Sequence, residues 1–142
     1  MRTTIVLLIL GFEVSASDLS RALRDPLSYA PAAAVGVAGS LDWASSQRYL
    51  QQGWLESNPR YTRSGNTKAE PIDAAAGYHR IVFREALPVF AISVGINTFS
   101  YWVEHRTSRW FGRALRWAAA GALTSATTPV FRQWRRNEAG RP

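Results

Sequence analysis

Apolar and polar positions in this chain are sorted into long blocks, and the block lengths are those of helices rather than strands. The first apolar run, Ile5 to Phe12, follows a single Arg and is closed by Glu13 and small residues, 1-MRTTIVLLILGFEVSAS-17. A bilayer crossing needs about 20 apolar residues, so this run is too short to span. Its layout is that of a secretory signal peptide over 1–16, with Val14 and Ala16 at −3 and −1 for cleavage after Ala16. The alternative is an uncleaved N-terminal apolar helix. Residues 18–27 are polar and predict a short surface helix ended by Pro26. The block 28-SYAPAAAVGVAGSLDWASSQ-47 then runs for 20 residues with one charge, Asp42. Within it Ala32, Gly36, Ser40 and Ala44 recur at every fourth position, with Ala34 and Ala38 on a neighbouring line. Such a small-residue ridge lets two membrane helices approach closely. An Ala-rich soluble helix is the alternative.

Residues 51–80 are polar, and Gly65, Asn66 and Pro71 exclude a long regular element, which leaves a loop with a short helix near Asp73–Tyr78. The block 86-ALPVFAISVGINTFSYWV-103 has 18 residues without a charge, bracketed by Arg84 and Glu85 and by Glu104, His105 and Arg106. It is the strongest membrane-span candidate, with Pro88 in its first turn and Tyr101 and Trp102 where aromatic belts form. A buried strand pair is its rival. The last block, 117-WAAAGALTSATTPVF-131, is marginal alone and lengthens if the preceding segment joins it. Ala120, Thr124 and Thr128 form a small-residue ridge, and Pro129 predicts a break or kink. The basic tail 132-RQWRRNEAGRP-142 is expected to fray. The pattern therefore predicts an all-α protein, one helical membrane domain over 17–142. Its three membrane-length helices lie at about 28–50, 84–104 and 107–131, with a polar loop after the first.

Charge sharpens this picture. The chain of 142 residues carries 17 basic and 10 acidic groups, and Lys68 is the single lysine among the basic ones. Arginine binds phosphate and carboxylate bidentately and stacks on rings, and six Trp accompany it. That pairing suits a membrane interface, and it also suits nucleic acid. The absence of cysteine excludes disulfides, thiolate metal sites and thiol acylation. With three crossings, an N-out arrangement would put ten basic residues on the cytoplasmic side and six opposite. The positive-inside rule then favours an inner-membrane, multi-pass bacterial protein with its mature N-terminus outside.

The sharpest local pattern is 106-RTSRWFGRALR-116. Arg106, Arg109, Arg113 and Arg116 are spaced by three, four and three, one stripe on a helix, while Trp110, Ala114 and Trp117 share a largely apolar face. This reads as a segment at a membrane surface, in contact with anionic lipid or an acidic partner subunit. A solvated basic hairpin is the plainer reading, and the adjoining apolar blocks argue against nucleic acid. Asp42 is costly inside a bilayer, so it should face a partner. It shares a helix face with Ser45, Ser46 and Tyr49, and Asn97, Thr98 and Arg84 are its expected partners. Asp42, Ser45, Ser46, Glu56, His79 and His105 supply the letters of a hydrolase triad, but no Gly-x-Ser-x-Gly elbow is present. Two His could also ligate a haem from facing helices, though His79 and His105 are not placed for it. No catalytic, cofactor-binding or metal residues are therefore assigned.

One stretch carries a resemblance. Asp42-x-x-Ser45-Ser46, followed by Leu50-x-x-Gly53-x-x-Glu56-x-Asn58-Pro59, resembles a motif in a family of small bacterial multi-pass membrane proteins of unknown function. In that family the first membrane helix carries an Asp and a Thr or Ser pair and ends in a Gly and a Glu-x-Asn-Pro turn. Two further hydrophobic helices follow, with an Arg-rich connection. The likeness covers about residues 30–136 and is specific over the first 30 of these. This chain departs from the pattern in its Ser pair and its longer polar loop. The resemblance implies architecture and no activity. The expected function is a structural or accessory subunit of a membrane complex. The alternatives are a membrane-embedded enzyme or transporter-like element using Asp42 and Glu56, and a soluble basic nucleic-acid binder.

Overall fold

A computed structural model describes residues 15–53, 55 and 74–140, and every regular element among them is helical. The all-α expectation holds. The apolar run at 5–12, the possible cleavage site's leader and the motif residues Glu56, Asn58 and Pro59 lie outside the described residues.

Helix α1 spans Ala16–Ala22. Ser15 caps it, its hydroxyl accepting from the Asp18 backbone N–H at 3.2 Å. A 3-10 turn, Pro26–Ser28, follows, capped by Asp25 with Pro26 at its start. Helix α2 spans Ala30–Gln51 and stops at Gly53, whose φ of 87° only glycine adopts freely. Helix α3, Ala74–Arg80, passes through a π turn, Ile81–Ala86, into α4, Leu87–Arg106. The second predicted helix and the short one before it are thus one continuous rod. Thr107 and Ser108 reverse the chain into α5, Arg109–Ser125. Both of their backbone N–H groups return to the Val103 carbonyl, at 2.8 and 3.2 Å. Pro129 has no N–H to give to the turn before it, so the expected helix over 107–131 breaks at Ala126–Thr127. It restarts as α6, Thr128–Glu138, with proline in the tolerated first turn. The tail expected to fray from Arg132 is helical as far as Glu138.

Two compact units divide the chain, one formed by Met1–Ala32 with Val89–Ser125 and the other by Ala33–Pro88 with Ala126–Pro142. In the first, α5 lies close on α4. A Cβ on Gly112 would come within 2.6 Å of the Ser100 carbonyl oxygen and would overlap the Glu104 side chain. In the second, α3 meets α2 through Gly77, where a Cβ would overlap the Trp43 ring. The π turn seats Ile81, 1% exposed, against Gly39.

The expectation of three membrane-length helices is corrected. Among the described residues one helix, Gly77–Arg106, is long and apolar enough to cross a membrane. Helix α2 has the length, 22 residues, but much of its sequence is Ala, Gly and Ser, which carry little apolar surface, and it includes Asp42. Helix α5 has 17 residues, of which Arg109, Arg113 and Arg116 are charged. The ten-to-six charge count assumed three crossings, and with one it no longer assigns a side. Of the small-residue positions on α2, Ala38 is fully buried. Gly36 has nothing within 4 Å of its Cβ position. The buried residues of α2 among those described are Pro31, Ala38, Gly39, Asp42, Trp43 and Ser45.

Candidate functional site

Both units carry their polar groups inward. In the first unit, α4 presents Ser93, Asn97, Ser100 and Glu104 at intervals of four, three and four, a single stripe along the helix. Ser93, Asn97 and Ser100 are buried, and Glu104 is 12% exposed. Asn97 donates its side-chain amide to Ser28 Oγ at 2.8 Å, and Ser28 in turn donates to the Ala22 carbonyl at 2.6 Å. At the lower end of the stripe sits Arg116, whose side chain is 9% exposed. Its Nη2 donates to Glu104 Oε1 at 2.6 Å and its Nε lies 3.4 Å from Asp25 Oδ2. The guanidinium carbon stacks 4.1 Å from the Tyr101 ring centroid. The Tyr101 hydroxyl donates to the same Asp25 oxygen at 2.9 Å. A buried Arg held by two carboxylates and a ring avoids the cost of an isolated buried charge.

The Arg stripe is therefore not one surface. Arg106 ends α4 and covers the Trp102 ring at 5.4 Å. Arg109 is exposed. Arg113, its side chain 71% exposed, reaches Glu104 Oε1 at 3.8 Å. Arg116 turns inward because α4 and the turn at Asp25 offer it acids. On α5, Trp110 and Trp117 are 77% and 68% exposed, and Phe111 is exposed too.

Residues 18–27, expected at the surface, supply a second buried acid. Asp18 is 3% exposed. Its Oδ2 accepts from Ser15 Oγ at 2.7 Å, and its Oδ1 lies 3.0 Å from His105 Nδ1, a close pair without good hydrogen-bond alignment. Arg21 Nη1 donates to His105 Nε2 at 2.8 Å, which assigns the imidazole proton to Nδ1. Ser, Asp and His thus stand in a row in the wrong order for acyl transfer. The hydroxyl sits on the acid, and Nε2, the atom that would activate a nucleophile, is occupied by Arg21.

In the second unit the face of Asp42, Ser45, Ser46 and Tyr49 meets α6. Asn137 Nδ2 donates to Asp42 Oδ1 at 3.1 Å and lies 3.2 and 3.3 Å from the Ser45 and Ser46 hydroxyls. Tyr49 donates to the Asn137 carbonyl at 2.7 Å, and Gln133 donates to Asn137 Oδ1 at 3.0 Å. Both serines donate to the Asp42 carbonyl. The partner found for Asp42 is thus Asn137. Among the expected partners, Asn97 bonds Ser28, Thr98 bonds the Val94 carbonyl at 2.7 Å, and Arg84 is exposed in the π turn.

Sequence reasoning singled out Asp42 and the helix face it shares with Ser45, Ser46 and Tyr49. It missed Asn137, Asp18, Asp25, Gly77 and Gly112. Val130, Gln133 and Asn137, spaced by three and four, were the available signal for a packed α6. Comparison with protein-family models, characterised proteins and solved structures finds no match.

Proposed function

We propose that the chain is a small integral membrane protein that serves as a structural or accessory subunit of a larger complex in a bacterial inner membrane. The helix Gly77–Arg106 anchors it, and α5 lies along the headgroup level. One observation carries this reading: many polar side chains are buried between the helices while several large apolar ones stand exposed. Asp18, Ser28, Asp42, Ser45, Ser93, Asn97, Thr98, Ser100, Arg116, Thr127 and Asn137 are buried. Val37, Val82, Phe83, Leu87, Ile92, Trp110, Phe111 and Trp117 are each about half or more exposed. In water such polar groups belong outside and such apolar groups inside. In lipid the preference reverses, and polar side chains become the contacts between helices. The most apolar stretch of the anchor is only 33% buried, which fits a lipid-facing rod better than the core helix of a water-soluble domain.

Within this reading Trp110 and Trp117 take the headgroup level, with Arg109 and Arg113 beside them to meet anionic lipid phosphates. Asp42, whose carboxylate accepts from Asn137, serves packing rather than chemistry. Alkaline carbonate extraction followed by purification in mild detergent tests the reading. Retention in the membrane pellet together with a stoichiometric co-purifying protein is the expected result. Release into the supernatant would return the chain to the class of soluble basic binders, and recovery without a partner would end the subunit role.

A further inference from the structure

Beside the Arg116 cluster the surface of the first unit holds an open depression of about 450 Å³, lined by Arg21, Arg24, Asp25, Pro26 and Tyr101. Two of the lining side chains are cations, and the one acid, Asp25, is engaged within the unit: Oδ1 accepts from the Leu27 backbone N–H at 2.9 Å, and Oδ2 accepts from Tyr101 and faces Arg116. The negative end of α1 is covered too. The Ala22 carbonyl accepts from Ser28 Oγ and the Leu23 carbonyl from the Tyr29 hydroxyl, each at 2.6 Å. Arg24 is exposed, and its guanidinium has no acidic partner among the described residues. Arg21 places one N–H against the His105 ring and is otherwise exposed. Buried Arg116 nearby has an Nη1 without an acceptor among the described residues. Two exposed guanidiniums lining one depression, with its single acid Asp25 facing Arg116, present donors for a phosphate anion.

We propose that this depression binds a phosphate group, and that its source is the headgroup of an anionic phospholipid. The phosphate chemistry stands on Arg21 and Arg24 alone, while the lipid source rests on the membrane reading given above. The position fits that source. Tyr101 lies in the last two turns of α4, where the uncharged run ends and headgroups begin. This site is separate from the Arg109 and Arg113 side of α5, because it is built by α1 and the turn that follows it.

The test uses the full chain purified in phosphate-free detergent and titrated with phosphatidylglycerol, phosphatidylcholine or inorganic phosphate, with retained ligand read by native mass spectrometry. The wild type should retain phosphatidylglycerol. Arg24→Gln, which breaks no internal contact, and Arg21→Gln/Arg24→Gln should each lose retention, the double variant by about tenfold or more. Arg135→Gln/Arg136→Gln, equal in charge removed, should not. Displacement of the lipid by inorganic phosphate would keep the site and make free phosphate its source. Equal retention by the wild type and both Arg24 variants, or an equal loss in the Arg135/Arg136 control, would overturn it. Neither result depends on whether carbonate releases the protein, so failure here and failure of the membrane reading are distinguishable.

Discussion

Asn137 Nδ2 donates to Asp42 Oδ1 across 3.1 Å, joining positions 95 apart in sequence and fastening the last helix to the face of α2 that carries the serines. A buried carboxylate that loses a donor keeps its desolvation cost and forfeits the bond, a loss of about 1–3 kcal/mol. Asn137→Ala should therefore lower thermal stability in detergent by about that amount, and Asp42→Asn should cost less, because its amide oxygen still accepts from Asn137. Melting curves for both variants check this. An Asn137→Ala protein as stable as the wild type would separate α6 from the packing of α2.

Gly112 and Gly121 lie on the same helix and should respond oppositely to alanine. Alanine is favoured over glycine in a helix interior by about 1 kcal/mol. At Gly121, with nothing within 4 Å of the Cβ position, that gain should appear as added stability. At Gly112 the new methyl group would meet the Ser100 carbonyl and Glu104, and overpacking of this kind costs about 1–3 kcal/mol, enough to reverse the sign. Thermal unfolding of the two single variants measures it.

Trp43 and Gly77 form a pair of the same kind in the other unit. Gly77→Ala alone should destabilise by about 1–3 kcal/mol, because the methyl group needs the space of the indole. Trp43→Leu should relieve the clash, so the double variant should be less destabilised than the sum of the singles. A double-mutant cycle on unfolding free energy gives the coupling, and strict additivity would contradict the contact.

Arg113 and Arg116 are three residues apart and should differ sharply. Removing Arg116 leaves the largely buried Asp25 without its cation and Glu104 with only the exposed Arg113, a loss of about 3–5 kcal/mol. Removing Arg113, largely exposed and 3.8 Å from Glu104, should change stability by about 0.5 kcal/mol or less. Comparison of Arg116→Ala with Arg113→Ala by denaturant titration reads the difference.

These contrasts also show which parts of the molecule the sequence makes legible. The run 86–103 is readable because an uncharged block of that length has few uses, and Gly53 because a helix end needs a left-handed residue. The shared face of Asp42, Ser45, Ser46 and Tyr49 follows from helical spacing alone. Its partner does not, since Asn137 sits in a basic tail whose apolar positions are too few to announce a packed helix. The four arginines from Arg106 to Arg116 look equivalent because spacing gives them one stripe. What distinguishes Arg116 is the pair of acids brought to it by α4 and the turn at Asp25, which is tertiary information. Three membrane helices were overcounted because length was readable in α2, whereas the small apolar surface of Ala, Gly and Ser counts against it.

The central claim is that the outer face of α4 meets lipid. The natural sequence has no cysteine, so single-cysteine variants can be spin-labelled cleanly at Leu87, Ile92 and Arg132, all three exposed. In reconstituted vesicles, labels at Leu87 and Ile92 should be relaxed strongly by oxygen and weakly by a water-soluble nickel chelate, with the reverse at Arg132. Nickel relaxation at Ile92 as strong as at Arg132 would place that face in water and contradict the account.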